Sequence, residues 1–298
     1  MSSTEFMSFL PPPGPSISNY DRHSPSTAQS ASVPATFKEA MSIREAVFVE
    51  EQHVPLENEL DYDDPRSFHW VVYASVGTSS SSPSGSRPST RSRKDSTSAE
   101  DRRQEERRRS SATASRVAVG TIRLVPPPHP PHPSPGTAHK IDNKEVPLSS
   151  SPEQAESRHP LPTPLHDNRE PYVKLGRLAT LQPYRGLGLA RLLVNAALDW
   201  AAKHPDEVVP PPDPTAVEQA KVEGKLAEEA DGRWRGLVLV HAQTGVAGWW
   251  EGMGFRKDEG MGTWVEEGIE HVGMWRRVAV KGGRGGLWKS GRSRDEGE

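Results

Sequence analysis

Cysteine is absent from the 298 residues. That excludes a disulfide framework, a Cys-ligated zinc and a thiol nucleophile together. Long apolar runs are missing as well. None approaches the roughly 18–20 residues a membrane span requires, and hydrophobic residues make up only 33% of the chain. The opening MSSTEFMSFLPPPGPS has no basic stretch leading into an apolar one, so no secretory signal is expected. Neither sign of charge prevails. The 37 Lys and Arg face 40 Asp and Glu, a net of -3 that gives no overall pull toward nucleic acid. These absences point to a soluble protein of the cytoplasm or, given a local basic run described below, the nucleus.

Proline and glycine, by contrast, are plentiful at 29 and 25 residues, and the mean hydropathy is -0.72. A chain this polar cannot bury a core over its whole length. Residues 1–34 are rich in Ser and Pro without periodicity and read as a disordered tail. Residues 78–115 hold 13 Ser and a net local charge of +4, including Arg102-Arg103-Gln104-Glu105-Glu106-Arg107-Arg108-Arg109. Residues 126–170 hold 12 Pro and the string PPPHPPHPSPG. Both lack the apolar content that would offset ordering entropy, so both read as disordered insertions. A third insertion, 204–232, joins VVPPPDPTA to a charged helix-prone run, and 281–298 reads as a disordered C-terminal tail. What remains of 35–280 is roughly 130 residues, the size of one domain. Long insertions interrupt such a domain cheaply, because closure entropy grows only logarithmically with length.

Periodicity within that set is readable. Thr36-Phe37-Lys38-Glu39 fits a capping box and predicts a helix with Phe37, Met41, Arg44, Val47 and Phe48 on one face. Runs 68–74, 117–124, 172–180, 237–242 and 271–278 read as strands. Leu192, Leu193, Ala196, Ala197 and Trp200 mark a helix from Leu189, and 244–253 a short one. The order α, β, β, β, loop, α, β, α, β is an α/β chain with a mixed central sheet and helices on both faces.

The loop Arg185-Gly186-Leu187-Gly188-Leu189-Ala190 lies between a strand and a helix. Glycines there let backbone amides approach a diphosphate, which the helix N-terminus also favours. The spacing is neither a dinucleotide fingerprint, since position 191 is Arg, nor a P-loop, which needs Gly-Lys-Ser/Thr. Arg-x-x-Gly-x-Ala after Lys174-Leu175-Gly176-Arg177-Leu178-Ala179-Thr180 resembles motif A of the GNAT acetyltransferase superfamily. Three more blocks resemble its small ElaA-type subgroup in order: Val47–Gln52, then His241-Ala242-Gln243 with Trp249–Phe255 against HAQ … FYEKLGF, then Glu267–Met274 against EGIPHIGM.

That resemblance implies a GNAT fold and transfer of an acetyl group from acetyl-CoA to an amine of a small molecule or protein. It places Leu178, Ala179 and Thr180 along the thioester, the amides of Arg185, Gly186, Leu187, Gly188, Leu189 and Ala190 around the pyrophosphate, and Gln243 as a side-chain contact to CoA. It implies no metal. The tyrosine that would protonate the leaving thiolate is replaced by Trp250, whose indole is no acid. A catalytically weak CoA-binding or scaffolding module therefore stands as the alternative. For a general base the candidates are Glu50 or Glu51 at a helix end, His241 at the carboxyl end of a strand, and His69 near Asp61, Asp63 and Asp64, the last equally readable as a core histidine. His271 reads as structural. The five His of the proline-rich insertion lack ligand spacing.

Overall fold

The computed structural model of the chain describes residues 6–77, 114–139, 162–210, 215, 222 and 233–280. In chain order the strands are β1 (Met7–Leu10), β2 (Phe68–Gly77), β3 (Ala114–Val125), β4 (Ala138–His139), β5 (Val173–Thr180), β6 (Leu237–Gln243), β7 (Arg256–Lys257), β8 (Thr263–Glu266) and β9 (Ile269–Arg277). The helices are α1 (Ala35–Arg44), α2 (Leu189–Lys203), α3 (Pro205–Val208) and α4 (Ala247–Glu251). One sheet runs β1-β2-β3-β5-β6-β9-β8-β4, with β7 on β9. Only β5–β6 and β4–β8 are parallel. The mixed sheet with helices on both faces is as the sequence predicts.

Alternation along β2 explains the two layers. Phe68, Trp70 and Val72 point to one face, where Leu193, Val194, Ala197, Leu198 and Ala201 of α2 cover them together with Val173, Leu175, Val238 and Val240. Val71 and Tyr73 point to the other face, under Ala40 and Ile43 of α1. Each Val, Leu, Ile or Phe among them contributes roughly 1.5–3 kcal/mol by leaving water.

Three boundaries differ from those read in the sequence. The first concerns 1–34. β1 pairs antiparallel with β2 and closes that edge of the sheet, while the Phe9 ring packs, tilted, 4.9 Å from both Trp70 and Trp200. Ile17, Tyr20 and Val33 bury against Phe37 and Met41. A handful of apolar residues in a Pro/Ser background suffices because each one meets an aromatic partner already present. The second concerns 126–170, whose described parts, 126–139 and 162–170, pack on the sheet: β4 extends β8, and His129, His132 and His166 lie against Tyr172. The third concerns 204–232, where Val208 and Val209 join the core. Residues 78–113, 140–161, most of 211–232 and the tail 281–298 lie outside the described residues, and the insertions and tail expected there lie outside with them.

The capping box does not form. Pro34 occupies the N-cap position of α1 with no side-chain cap, and the Glu39 carboxylate instead accepts the Tyr73 hydroxyl at 2.6 Å. Beyond Arg44 the helix widens into a π-wound turn, Glu45–Glu51, ending at Gln52. Such turns are uncommon and often stand at functional sites. This one ends over the mouth of the cleft described next.

Candidate active site

β5 and β6 are paired only at Val173–Leu175 with Val238–Val240. Both strands continue, to Thr180 and Gln243, but the ladder stops. A bulge in β5 drives them apart. Thr121 pairs with Ala179 and Arg123 with Gly176, so Ile122 faces two residues, Arg177 and Leu178. Arg177 carries the bulge at φ 51, a sign L-residues seldom adopt. Its guanidinium bonds Asp61 Oδ2 at 3.0 Å and lies 3.2 Å from Glu59 Oε1. Those acids belong to a buried charged cluster: Arg44 bonds Glu59 at 2.5 Å and Asp64 at 2.7 Å, and Arg123 bonds Asp61 at 2.5 Å and Asp64 at 2.8 Å. The cluster thereby ties the loop after α1 to the bulge.

Past the cleft, Gln182–Tyr184 makes a single 3-10 turn. Gly186 and Gly188 follow at φ 79 and φ 80, and Gly188 is the N-cap of α2. A Cβ at either would meet nothing within 4 Å. These glycines answer a backbone sign and not a shortage of room. The helix start leaves the first amides of α2 without intrahelical acceptors, facing solvent beside Leu187, which is exposed. Arg185 differs from its neighbours, because its amide already donates to Gln182 O at 3.3 Å. Its guanidinium donates to Thr180 O at 2.9 Å and to Glu51 Oε2 at 2.6 Å. Opposite, Gln243 Nε2 donates to Gln52 Oε1 at 3.0 Å. The end of the π-wound turn thus bonds to the loop after β5 and to the tip of β6.

An extended thioester-linked arm ending in a diphosphate fits these groups. The edge of β5 from Gly176 to Thr180 that faces β6 has no strand partner among the described residues, and the Thr180 hydroxyl is shielded and unpartnered. Leu178, Ala179 and Thr180 thus lie on the stretch of β5 past its pairing with β6, Gly186 to Ala190 lead from it into α2, and Gln243 ends β6.

The candidate bases fare unequally. Glu50 is exposed, and Glu51 is paired with Arg185 at 2.6 Å. His69 is a core residue: its Nε2 lies 3.0 Å from Asp64 O, its ring stands edge-on to Phe37, and burial pushes it down to about 4. His271 Nδ1 meets Ile269 O within its own strand. His241 is one residue beyond the last β6 position paired with β5. Its Nδ1 lies 2.8 Å from Glu266 Oε1. Burial, then Lys174, push the imidazole down to about 4, so it is neutral and donates to the carboxylate as a hydrogen bond and not an ion pair. Burial works to raise Glu266, but His241 and Lys174 outweigh it and hold the carboxyl well below its usual range. The other nitrogen, Nε2, is buried with no partner among the described residues. Trp250 is buried among core residues, 5.0 Å from Phe255 and edge-on to it.

Sequence reasoning missed Glu266, on a strand too short to read, and passed over Lys174 and Arg177 as ordinary strand residues. No group of three His, Asp or Glu among the described residues could hold a metal, and no described helix is long and apolar enough to cross a membrane.

The acetyltransferase (GNAT) family model matches residues 81–209. No curated protein matches the chain. Among solved structures, a Lactobacillus plantarum protein described as an N-acetyltransferase is 18% identical, covering 82% of this chain and 92% of its own, with a TM-score of 0.39. ElaA of Escherichia coli is 14% identical over 85% and 94%, with a TM-score of 0.36. An acyl-CoA N-acyltransferase of Pseudomonas aeruginosa is 14% identical over 84% and 94%, also at 0.36.

Proposed function

We propose that the chain is an acetyl-CoA-dependent acyltransferase of the acetyltransferase (GNAT) family, whose model matches residues 81–209, and that it delivers the acetyl group to a primary amine by direct attack, both substrates being held at the β5–β6 cleft. One observation carries this reading: the parting of β5 from β6 at a bulge, directly before a glycine loop that opens α2.

The amides of Gly186 to Ala190, with the positive end of α2 behind them, would hold the pyrophosphate. The backbone of Leu178, Ala179 and Thr180 would line the pantetheine, and Gln243 would add a side-chain amide. Acetyl-CoA supplies an acetyl group already activated as a thioester. Negative charge building on the acetyl oxygen is stabilised by an unpaired amide of β5. The attacking amine must lose a proton once bonded to the carbonyl carbon, and His241 is placed to take it, although an imidazole pushed down to about 4 is a weak base that passes the proton straight on to water. Glu266 fixes the tautomer, leaving the lone pair of Nε2 to accept a proton directly or through a water. A thiol with a pKa near ~8.5 leaves without an acid. Incubating the protein with acetyl-CoA and a panel of primary amines, with free CoA as readout, tests the reading. Release of CoA that depends on an amine supports it. Tight acetyl-CoA binding with no turnover on any amine would instead favour a non-catalytic CoA-binding module.

Trp250 bears on the same choice. Its ring packs in the core, so Trp250→Tyr and Trp250→Phe are expected to give equal turnover and a lowered Tm. A Tyr variant distinctly faster than Phe would mean that a proton donor is wanted at this position after all.

A further inference from the structure

Side chains of a regular strand alternate between its two faces, and β5 breaks that alternation at one place. Val173 and Leu175 face the α2 core, while Lys174 lies on the α1 face under a roof formed by His129 to Pro133. Continued alternation would turn Arg177 and Ala179 toward the α2 core and Leu178 away from it. The structure has the reverse. Leu178 packs against the α2 core, and Ala179 joins Ala40 and Ile43 on the α1 face. Arg177 reaches Asp61 Oδ2 at 3.0 Å and Glu59 Oε1 at 3.2 Å, both in the loop after α1. The extra residue opposite Ile122 is what exchanges the faces. The bulge and the ion pairs of Arg177 therefore require each other.

A regular strand would turn the guanidinium toward an apolar face with no counter-charge, which costs more than a strained backbone. With the bulge the residue sits at φ 51, but its charge meets two carboxylates and stays 21% exposed. Those carboxylates do not depend on it. Arg123 holds Asp61 through both Nη atoms, and Arg44 Nε holds Glu59. The consequence of Arg177 falls instead on β5. Its bulge ends the ladder with β6 and leaves the cleft-facing edge of β5 unpaired, including the amide assigned above to the acetyl oxygen. We infer that Arg177 is a positioning residue for acetyl transfer: anchored by Asp61 and Glu59, it holds the β5 bulge and through it that amide. It acts through the backbone and has no need to touch either substrate. The inference rests on the acetyl-transfer reading above.

Arg177→Val and Arg177→Gly in the full-length protein separate this role from a merely structural one. Both remove the guanidinium and its ion pairs. They differ in backbone, since a β-branched residue is an outlier at positive φ and glycine adopts it freely. Valine also suits a regular strand, which glycine weakens. The Val variant is therefore expected to melt no lower than the Gly variant and yet to be the slower enzyme. Its kcat should fall by about 10²–10³-fold, the cost of one oxyanion donor, while Gly stays within about tenfold of the parent. Acetyl-CoA affinity, measured by calorimetry, should hold in both, because the glycine loop is unaltered. Hydrogen exchange gives a reading without activity: amides of 178–180 should gain protection in Val, where the ladder can extend, and not in Gly. Arg177→Ala, which also resists positive φ, replaces Val should that variant not fold. Equal kcat in the two variants, or Gly the slower, would overturn the inference, and so would unchanged exchange in Val. No release of CoA by the unaltered protein would bring down the acetyl-transfer reading instead, and exchange alone would then decide whether Arg177 holds the bulge.

Discussion

Gly188→Glu is expected to abolish acetyl-CoA binding, lowering affinity on the order of 100-fold or more. Gly188 caps α2 at φ 80, and nothing within 4 Å obstructs a Cβ there. The new side chain therefore meets no wall of protein. It puts a carboxylate against the amides of the helix start, where an anion is welcome. That favours the folded protein and occupies the place a pyrophosphate needs. Like charges brought together cost several kcal/mol, and each 1.4 kcal/mol is tenfold in affinity. The left-handed backbone would add strain of about 1–2 kcal/mol for any L-residue, so Gly188→Asn serves as control, Asn being among the residues that tolerate this conformation. Calorimetry should give loss of binding for Glu and a change within about tenfold for Asn, with both retaining a cooperative thermal transition. Parent-like affinity in the Glu variant would remove the loop from the site.

The strength of this prediction follows from how plainly the sequence exposes that corner of the fold. A strand, two glycines and a helix with Leu193, Ala197 and Ala201 on its inner face are local signals, written within thirty residues. The paired strands from 68 to 124 and the strand at 237 are legible for the same reason. Elements that depend on distant partners are not. Met7–Leu10 is four residues in a Pro/Ser background, and only Trp70 and Trp200, far along the chain, make it a strand edge. The Pro/His-rich stretch has too few apolar residues to build a core, yet it covers one whose other half, Tyr172 and Trp275, lies elsewhere. Thr36 satisfies the capping-box pattern, but Pro34 caps the helix two residues earlier and Tyr73 claims Glu39. The site divides in the same way. The loop could be read locally, whereas the pairing of His241 with Glu266 and the placement of Lys174 require β8 and the parting of two strands.

Acidification from pH 7 to 4 is expected to unfold the protein, beginning well above the range in which exposed carboxylates titrate. Burial pushes His69 and His241 down to about 4, and His129 and His132 down to about 3. An unfolded histidine titrates near ~6.5. Between those values the unfolded chain binds more protons than the fold, so stability is fully present above pH 6.5 and is lost as pH falls toward 4. Each such proton is worth about 1.4 kcal/mol per pH unit. For His69 and His241, both pushed down to about 4, the loss over the window reaches on the order of 7 kcal/mol together, comparable with the whole stability of a typical domain. Asp64, which Arg44 and Arg123 hold well below its usual range against the cost of burial, adds to the loss in the same direction at the acid end. The order of events follows from where the histidines sit. His129 and His132 belong to the roof, which is joined to the sheet through the two-residue β4 and a few backbone bonds such as Gly136 N to Thr263 O at 2.7 Å. Amides of the roof should therefore lose hydrogen-exchange protection at a higher pH than those of β2 and β3, with global melting following. Thermal midpoints measured from pH 8 to pH 4 should fall steeply below 6.5. A midpoint unchanged down to pH 5 would mean that these imidazoles are not held neutral by the fold.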